Sequence, residues 1–349
     1  MEARGPVSIN DIVAATGLSR ATIDRVLNKR AGVHPRTRAH VLRVVARLEN
    51  DGHLDQEEAA NLKIAESQRL GIIVQAGETF TRSVLAAVKQ IGEFDKSTAT
   101  MQAFASRSDG ETVDLVRTLG KETDGIALVA KDIEPVRSEL RTLQETGKAV
   151  VALVSDLDPA VRNAYVGIDN RAAGQVAAYI LGRCLQRAKD AKVAVVVGYF
   201  SYLCQEDREI GFRSLLRQRF PEIEIVEVIK GDDSREATYE ATLRLLKARH
   251  DIAGIYNVAG GNFGLARAIE EAGLERRPLY ITHEVNEVTE PLLRTGVIDF
   301  LITQSLESLI RTSRQVLIEL RLGSGTLREL NHLPIQIVSE FNLDPRHAA

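Results

Sequence analysis

Two groups of side chains have the types and spacing to do chemistry. The first lies in residues 8–28, SINDIVAATGLSRATIDRVLN. Ile23, Val26 and Leu27 recur on one face of a predicted helix, which leaves Arg20, Ala21, Asp24, Arg25 and Asn28 on the other. A guanidinium fork matches guanine O6 and N7, or two phosphate oxygens. A short helix, a tight turn and an arginine-bearing second helix are shaped to enter a DNA major groove. The plainer reading of the same pattern is a helical hairpin with solvated arginines. The second group follows predicted strands: Phe80, Asp169, Arg208, Asn257, Glu284 and Gln304. Ligands of parallel α/β sheets bind at the carboxyl ends of strands. There Asp169 can accept from two hydroxyls, and Arg208 can donate two bonds in a fixed fork. Phe80 can lay its face on the C–H side of a ring. Each of these residues taken singly reads equally well as a helix cap or a surface group.

Other chemistries find little support. The seven histidines, His34, His40, His53, His250, His283, His332 and His347, make no H-x-x-x-H pair. Cys184 and Cys204 are too few for a disulfide framework or a zinc site, and read as buried thiols of a reducing cytoplasm. No metal or other cofactor is expected. There is no G-x-S-x-G and no G-x-x-x-x-G-K. VAGGNFG (258–264) imitates a dinucleotide fingerprint, but Ala259 stands where the first glycine is required. A nicotinamide-dependent enzyme is therefore a minor alternative, and the chain is read as a non-enzyme.

The elements that carry these residues differ in kind. At the N-terminus, Ser8 or Asn10 can cap a first helix whose buried face is Ile9, Ile12 and Val13. Gly17 stops it, and Ser19 opens the second helix. Pro35 starts a third, with Val41, Leu42, Val45 and Leu48 on its apolar face, so residues 1–50 form a three-helix head. Residues 51–68 read as a linker. From 69 to 349, β-rich runs alternate with amphipathic helices. The runs are 70–74, 101–105, 125–130, 149–154, 165–169, 193–197, 223–229, 252–258 and 279–284. Helices are predicted over 81–92, 110–120, 170–187, 206–218, 235–249 and 262–273. Gly120, Gly147, Gly182 and Gly273 are read as helix ends. This texture means parallel sheets covered on both faces. The strands exceed one comfortable open sheet, so two α/β lobes are expected.

Charge is divided along the chain. Nine basic and four acidic residues give 1–50 a net +5, whereas the whole chain of 349 residues is net −3. A basic head on an acidic body suggests that only the head meets a polyanion. No run approaches 18 apolar residues, and MEARGPVSIN has no apolar h-region, so neither membrane span nor secretory signal is expected, and the predicted location is the cytoplasm.

VSINDIVAATGLSRATIDRVLNKRAGVHPRTRAHVLRVVARL resembles the head of the lactose-repressor/galactose-repressor family of bacterial regulators. It departs at Val13, where Ala is usual, and at Asp24, where Ser is usual. The body, in RLGIIV, AYVGIDNRAAGQVAAYIL, REIGF and ITHEVNEVTEPLLRTGVIDFLITQ, resembles the type I periplasmic sugar-binding fold that such regulators carry. The resemblance implies a helix-turn-helix head, a hinge helix, and a two-lobed periplasmic-binding-protein-like effector domain that forms a homodimer. The implied partners are a pseudo-palindromic DNA operator and a small polyhydroxy effector, a sugar or polyol. Arg20, Ala21 and Arg25 would meet base edges. Thr22, Asn28, Thr37 and Arg38 would be backbone contacts or structural. Leu62 would fall at the leucine that wedges into the minor groove. Five acidic residues against Lys63 make residues 51–68 net −4, which opposes insertion beside phosphates. The implied function is a ligand-responsive repressor of sugar or polyol uptake or catabolism genes. A solute-binding receptor of the same fold is the alternative.

Overall fold

The computed structural model describes residues 9–28, 30, 33, 37–38, 40–42, 44–45, 68–94, 100–188, 190–323 and 328–343. The chain divides into two compact units, Met1–Ser67 and Gln68–Ala349. Leu62, Leu48 and the predicted hinge to residue 67 lie outside the described residues.

In the first unit, helix α1 (Ile9–Thr16) and helix α2 (Arg20–Leu27) flank Gly17, whose φ of 67° is the left-handed value glycine tolerates. Ser19 Oγ caps α2 by accepting from the Thr22 N–H. Ile12, Ile23, Val26 and Val41 are buried together. Thr37, Arg38, His40, Val41, Leu42, Val44 and Val45 are helical. Two expectations change. Leu27 is 36% exposed and Leu42 is 50% exposed, so neither belongs to the buried face assigned to it. The core of so small a unit closes on Ile12, Ile23, Val26 and Val41 without them.

The second unit contains two sheets of like topology. Strands β1 (Leu70–Gln75), β2 (Met101–Ser106), β3 (Gly125–Val129), β4 (Ala149–Leu153) and β5 (Ala164–Gly167) lie in the order β2-β1-β3-β4-β5, all parallel. Strands β6 (Lys192–Val197), β7 (Glu224–Lys230), β8 (Ile252–Asn257), β9 (Leu279–His283) and β10 (Phe300–Thr303) repeat that pattern as β7-β6-β8-β9-β10. The late strands β11 (Leu330–His332) and β12 (Gln336–Val338) extend the two sheets beside β5 and β10, the last antiparallel. Valine- and isoleucine-rich strands such as KVAVVV are buried along nearly their whole length, as sheets covered on both faces require.

Helices α3 (Glu78–Phe94), α4 (Asp109–Glu122) and α5 (Glu134–Glu145) serve the first lobe. The second lobe has α6 (Asn170–Leu185), α7 (Leu203–Arg219), α8 (Arg235–Ala248), α9 (Asn262–Glu271) and α10 (Thr289–Arg294). Helix α11 (Leu306–Leu322) returns to the first lobe, where Leu309, Ile310, Val316 and Leu317 pack with β1 and β4. The chain thus passes between lobes after β5, after β10 and between β11 and β12.

Gly147 and Gly273 end helices with positive φ, as expected, but Gly120 and Gly182 lie inside α4 and α6. A Cβ at Gly120 would strike Leu143, and one at Gly182 would strike the Phe220 ring. Those two glycines serve close packing rather than helix termination. Cys184 is exposed, contrary to the buried reading, whereas Cys204 is buried. Among the described residues, no helix is long and apolar enough to cross a membrane.

Candidate functional site

The carboxyl ends of both sheets face a cavity of about 230 Å³ between the lobes of the second unit. Its first-lobe wall includes Ala76, Phe80, Val129 and Val154; its second-lobe wall includes Arg208, Asp233, Asn262, His283 and Glu284. The lobes also touch directly. The Asp132 N–H donates to the Ser201 carbonyl at 2.7 Å, and Arg82 pairs with Glu287.

Arg208 is the buried cation of the site, 5% exposed on α7. Its Nε donates to Asn170 Oδ1 at 2.8 Å, and Nη1 donates to the Val258 carbonyl at 3.1 Å. The third nitrogen, Nη2, has no hydrogen-bond partner and lies 3.9 Å from Glu284 Oε1. Asn170 is held in turn: its Nδ2 donates to the Val154 carbonyl (2.8 Å) and to Tyr165 Oη (3.1 Å). This placement depends on a close crossing of α6 and α7. A Cβ at Gly174 would lie 2.0 Å from the Arg208 carbonyl oxygen, and one at Gly211 would lie 2.1 Å from that of Arg171.

Glu284 and Val154 occupy equivalent places, just past β9 and β4, and both hold positive φ (64° and 61°). Each N–H donates to the neighbouring strand, Glu284 to Ile302 and Val154 to Val166, both at 3.0 Å. Such values are costly for residues with a Cβ, most of all a β-branched one, and cluster at ligand clamps. The Glu284 carboxylate accepts from Thr303 Oγ1 (3.0 Å) and Gln304 Nε2 (3.3 Å). Burial raises its pKa above the ordinary 4.5, and the Arg208 charge opposes that rise. His283 is buried with Nε2 2.7 Å from Tyr256 Oη, while its Nδ1 has no partner. Burial, reinforced by Arg208, drives its pKa well below 6.5, so the imidazole is neutral near pH 7.

The six strand-end residues named from sequence separate into two sets. Phe80, Arg208 and Glu284 line the cavity; Asp169, Asn257 and Gln304 do not. Asp169 caps α6 through Oδ1, which accepts from the Ala172 N–H at 2.9 Å. Asn257 is used in a turn, donating to the Gly260 carbonyl and Asn262 Oδ1 and accepting from the Ala259 N–H. Gln304 supports Glu284 from behind. Asn262 and Asp233 were not foreseen. The Asn262 oxygen takes donors from Asn257, Tyr280 and Thr282, and the residue lines the cavity. The VAGGNFG stretch is explained by packing. Gly261 adopts a φ of 76° at the start of α9, and a Cβ at Gly264 would lie 1.9 Å from the Arg235 carbonyl oxygen of α8.

In the first unit, Arg20, Ala21, Arg25 and Asn28 are exposed, and Thr22, Thr37 and Arg38 are half-buried. Thr22 Oγ1 bonds Ser19 Oγ at 2.9 Å. Asp24 accepts from Asn28 Nδ2 (2.8 Å) and Arg30 Nη1 (3.3 Å), and Arg38 Nη2 donates to the Arg30 carbonyl (2.9 Å). The out-of-place carboxylate is thereby paired within the unit.

A cleft between two predominantly parallel sheets, lined by strand ends, gives the chain the two-lobed architecture of a binding-protein fold. The chain belongs to the periplasmic binding protein domain family, whose profile matches residues 70–324. Catabolite control protein A of Priestia megaterium is 23% identical over 243 residues, 69% of this chain and 70% of that protein. The ribose operon repressor of Haemophilus influenzae is 23% identical over 212 residues, 60% of each chain. Among solved structures, an ABC transporter solute-binding protein from Burkholderia graminis, in complex with D-arabinose, matches with TM-score 0.71 and 19% identity, covering 80% of this chain and 98% of that one. GanP, a glucose-galactose binding protein from Geobacillus stearothermophilus, matches at 0.70 and 19%, covering 79% and 99%. These structural likenesses show the fold.

Proposed function

We propose that this chain is a ligand-responsive, sequence-specific transcription regulator, a repressor of sugar or polyol uptake or catabolism genes, acting as a cytoplasmic homodimer. The head (1–50) is a helix-turn-helix DNA reader, 51–68 is the hinge, and 69–349 is the effector and dimerisation domain. The observation that carries this reading is α2, which buries Ile23 and Val26 while exposing Arg20, Ala21 and Arg25. The name of one relative, a ribose operon repressor, supports it.

The effector is a small polyhydroxy compound held between the lobes. Arg208 offers a buried donor, Glu284 an acceptor, and Phe80 an apolar face. Asp169 and Gln304 act behind the ligand, one through the start of α6 and the other through Glu284. The ligand favours one lobe arrangement and DNA favours one spacing of the two heads. Each biases the other by the same coupling free energy, typically about 1–3 kcal/mol.

The test is binding of the full chain to DNA enriched from a random pool. Arg25→Ala should cost about 1–3 kcal/mol on the enriched site and relax preference at one base pair. Equal loss on enriched and random DNA contradicts base reading by Arg25. The solute-binding neighbours favour a second reading, a receptor without DNA affinity. Failure to enrich any DNA would leave that reading standing.

A further inference from the structure

Asp233 lies in the turn between β7 and α8, where Asp232 and Asp233 hold φ values of 50° and 51°. Two successive left-handed residues with side chains are costly unless their surroundings hold them. Here they are held. The Gly260 N–H donates to Asp233 Oδ1 at 2.6 Å, and Gln205 Nε2 donates to Oδ2 at 3.1 Å. Gln205 is itself fixed, because its Oε1 accepts from the N–H groups of Gly198 (2.7 Å) and Tyr199 (3.0 Å). Gly198 makes room: a Cβ there would lie 2.5 Å from Asp233 Oδ2. The carboxylate is therefore seated in a notch made by residues just past β6, β7 and β8.

That notch opens on the cavity. Asp233 lines it with Arg208, whose buried Nη2 has no hydrogen-bond partner, and with His283, whose buried Nδ1 has none. An ionised carboxylate has about four acceptor sites and no donor. Protein donors leave Asp233 with acceptor capacity to spare. Arg208 has already committed two nitrogens to Asn170 and Val258, and Glu284 stands 3.9 Å from the third. The second-lobe wall thus carries two carboxyl groups, one buried cation in Arg208 and one exposed cation in Arg235.

We infer that Asp233 is a specificity-determining residue of the cavity: it accepts hydroxyl protons from an uncharged polyhydroxy ligand and rejects ligands that carry a carboxylate or phosphate. The inference rests on the polyhydroxy-ligand reading above. Hydroxyls donate to a fixed carboxylate, whereas a second carboxylate or a phosphate dianion cannot and is repelled by its charge.

The experiment is calorimetric titration of the full chain with D-arabinose, D-fucose, D-galactose, D-galacturonate, D-glucose and D-gluconate. It compares wild type, Asp233→Asn and Gly198→Ala, with circular dichroism as the check on folding. Wild type should bind D-galactose or D-glucose at least tenfold more tightly than the corresponding acid. Asp233→Asn should weaken the neutral sugar at least tenfold and narrow the gap to its acid. Gly198→Ala keeps the charge but displaces it, so it should weaken the neutral sugar without admitting the acid. Were Asp233→Asn to misfold, Gly198→Ala would decide alone. Acids bound as tightly as neutral sugars by wild type, or neutral-sugar affinity undiminished in either folded variant, overturns the role of Asp233. A wild-type protein that binds none of the neutral sugars overturns the ligand reading itself, and this inference with it.

Discussion

Replacing Arg208 by Met separates the two tasks of that side chain. Two guanidinium nitrogens hold Asn170 Oδ1 and the Val258 carbonyl, and the third is buried without a hydrogen-bond partner, 3.9 Å from Glu284 Oε1. Hydrogen bonds from a charged group contribute about 1.5–3 kcal/mol each, so losing two costs ~3–6 kcal/mol. Against that, keeping a guanidinium out of water costs several kcal/mol, which Met removes. The two effects oppose each other at similar size, so Arg208→Met should change unfolding free energy by less than about 2 kcal/mol. Ligand binding has no such compensation. Deleting a charged, hydrogen-bonding partner from a desolvated site costs about 2–5 kcal/mol, roughly 30-fold to several thousand-fold in affinity. Arg208→Lys should lose nearly as much, since one ammonium cannot serve three divergent points. The assay pairs urea unfolding by circular dichroism with calorimetry, using the neutral sugar that most raises the wild-type melting temperature. A folded Arg208→Met protein that binds within threefold of wild type would refute the claim that Nη2 anchors the ligand.

Other outcomes follow from the same geometry. Burial raises the Glu284 pKa above 4.5, so the folded state holds this proton more tightly than the unfolded state does. Its contribution to stability is greatest below that pH and falls as pH rises toward the folded value. Glu284→Gln should therefore melt above wild type at pH 7.5 and lose that advantage near pH 4.5; a variant less stable at pH 7.5 would contradict this. Gly211→Ala places a Cβ about 2.1 Å from the Arg171 carbonyl oxygen and must spread α6 from α7. It should cost ~1–3 kcal/mol of stability and weaken ligand by shifting Arg208 from Asn170, and normal values of both would exclude that linkage. In the acidic predicted hinge, Glu57→Gln with Glu58→Gln should tighten operator binding at low salt, as lost phosphate repulsion requires. Leu62→Ala should cost well under the few kcal/mol of an unstacking wedge, and a DNA bend that collapses in Leu62→Ala would show that the hinge inserts.

Much of the two-lobed fold was legible because its strands are continuous apolar runs. LGIIV, VAVVV and IAGIYNV became β1, β6 and β8 within one residue at either end. Helix α5 was marked in the sequence only by its end at Gly147 and not by its span; Pro135 sits in its first turn, where proline is tolerated. Strands β11 and β12 have three residues each, too few for a periodic signal, and their pairing is set by β5 and β10. Arg208 was legible because it lies in the early turns of a helix-forming run that follows a strand. Asp169 carried a competing signal, a helix cap three residues before Ala172, and that signal prevailed. Asp233 was hidden in GDDS, which reads as a solvated turn until Gly198, Gln205 and Gly260 are brought around it from distant parts of the chain. The same holds for Asn262, whose orientation depends on Tyr280 and Thr282.

The measurement that bears most directly on the central claim is the affinity of the full chain for its enriched DNA site, titrated with the neutral sugar that most raises its melting temperature. The account predicts a pseudo-palindromic site whose dissociation constant changes about 5- to 150-fold at saturating sugar, in wild type but not in Arg208→Met. DNA affinity that ignores the sugar, or no preference for any site over random DNA, would contradict it.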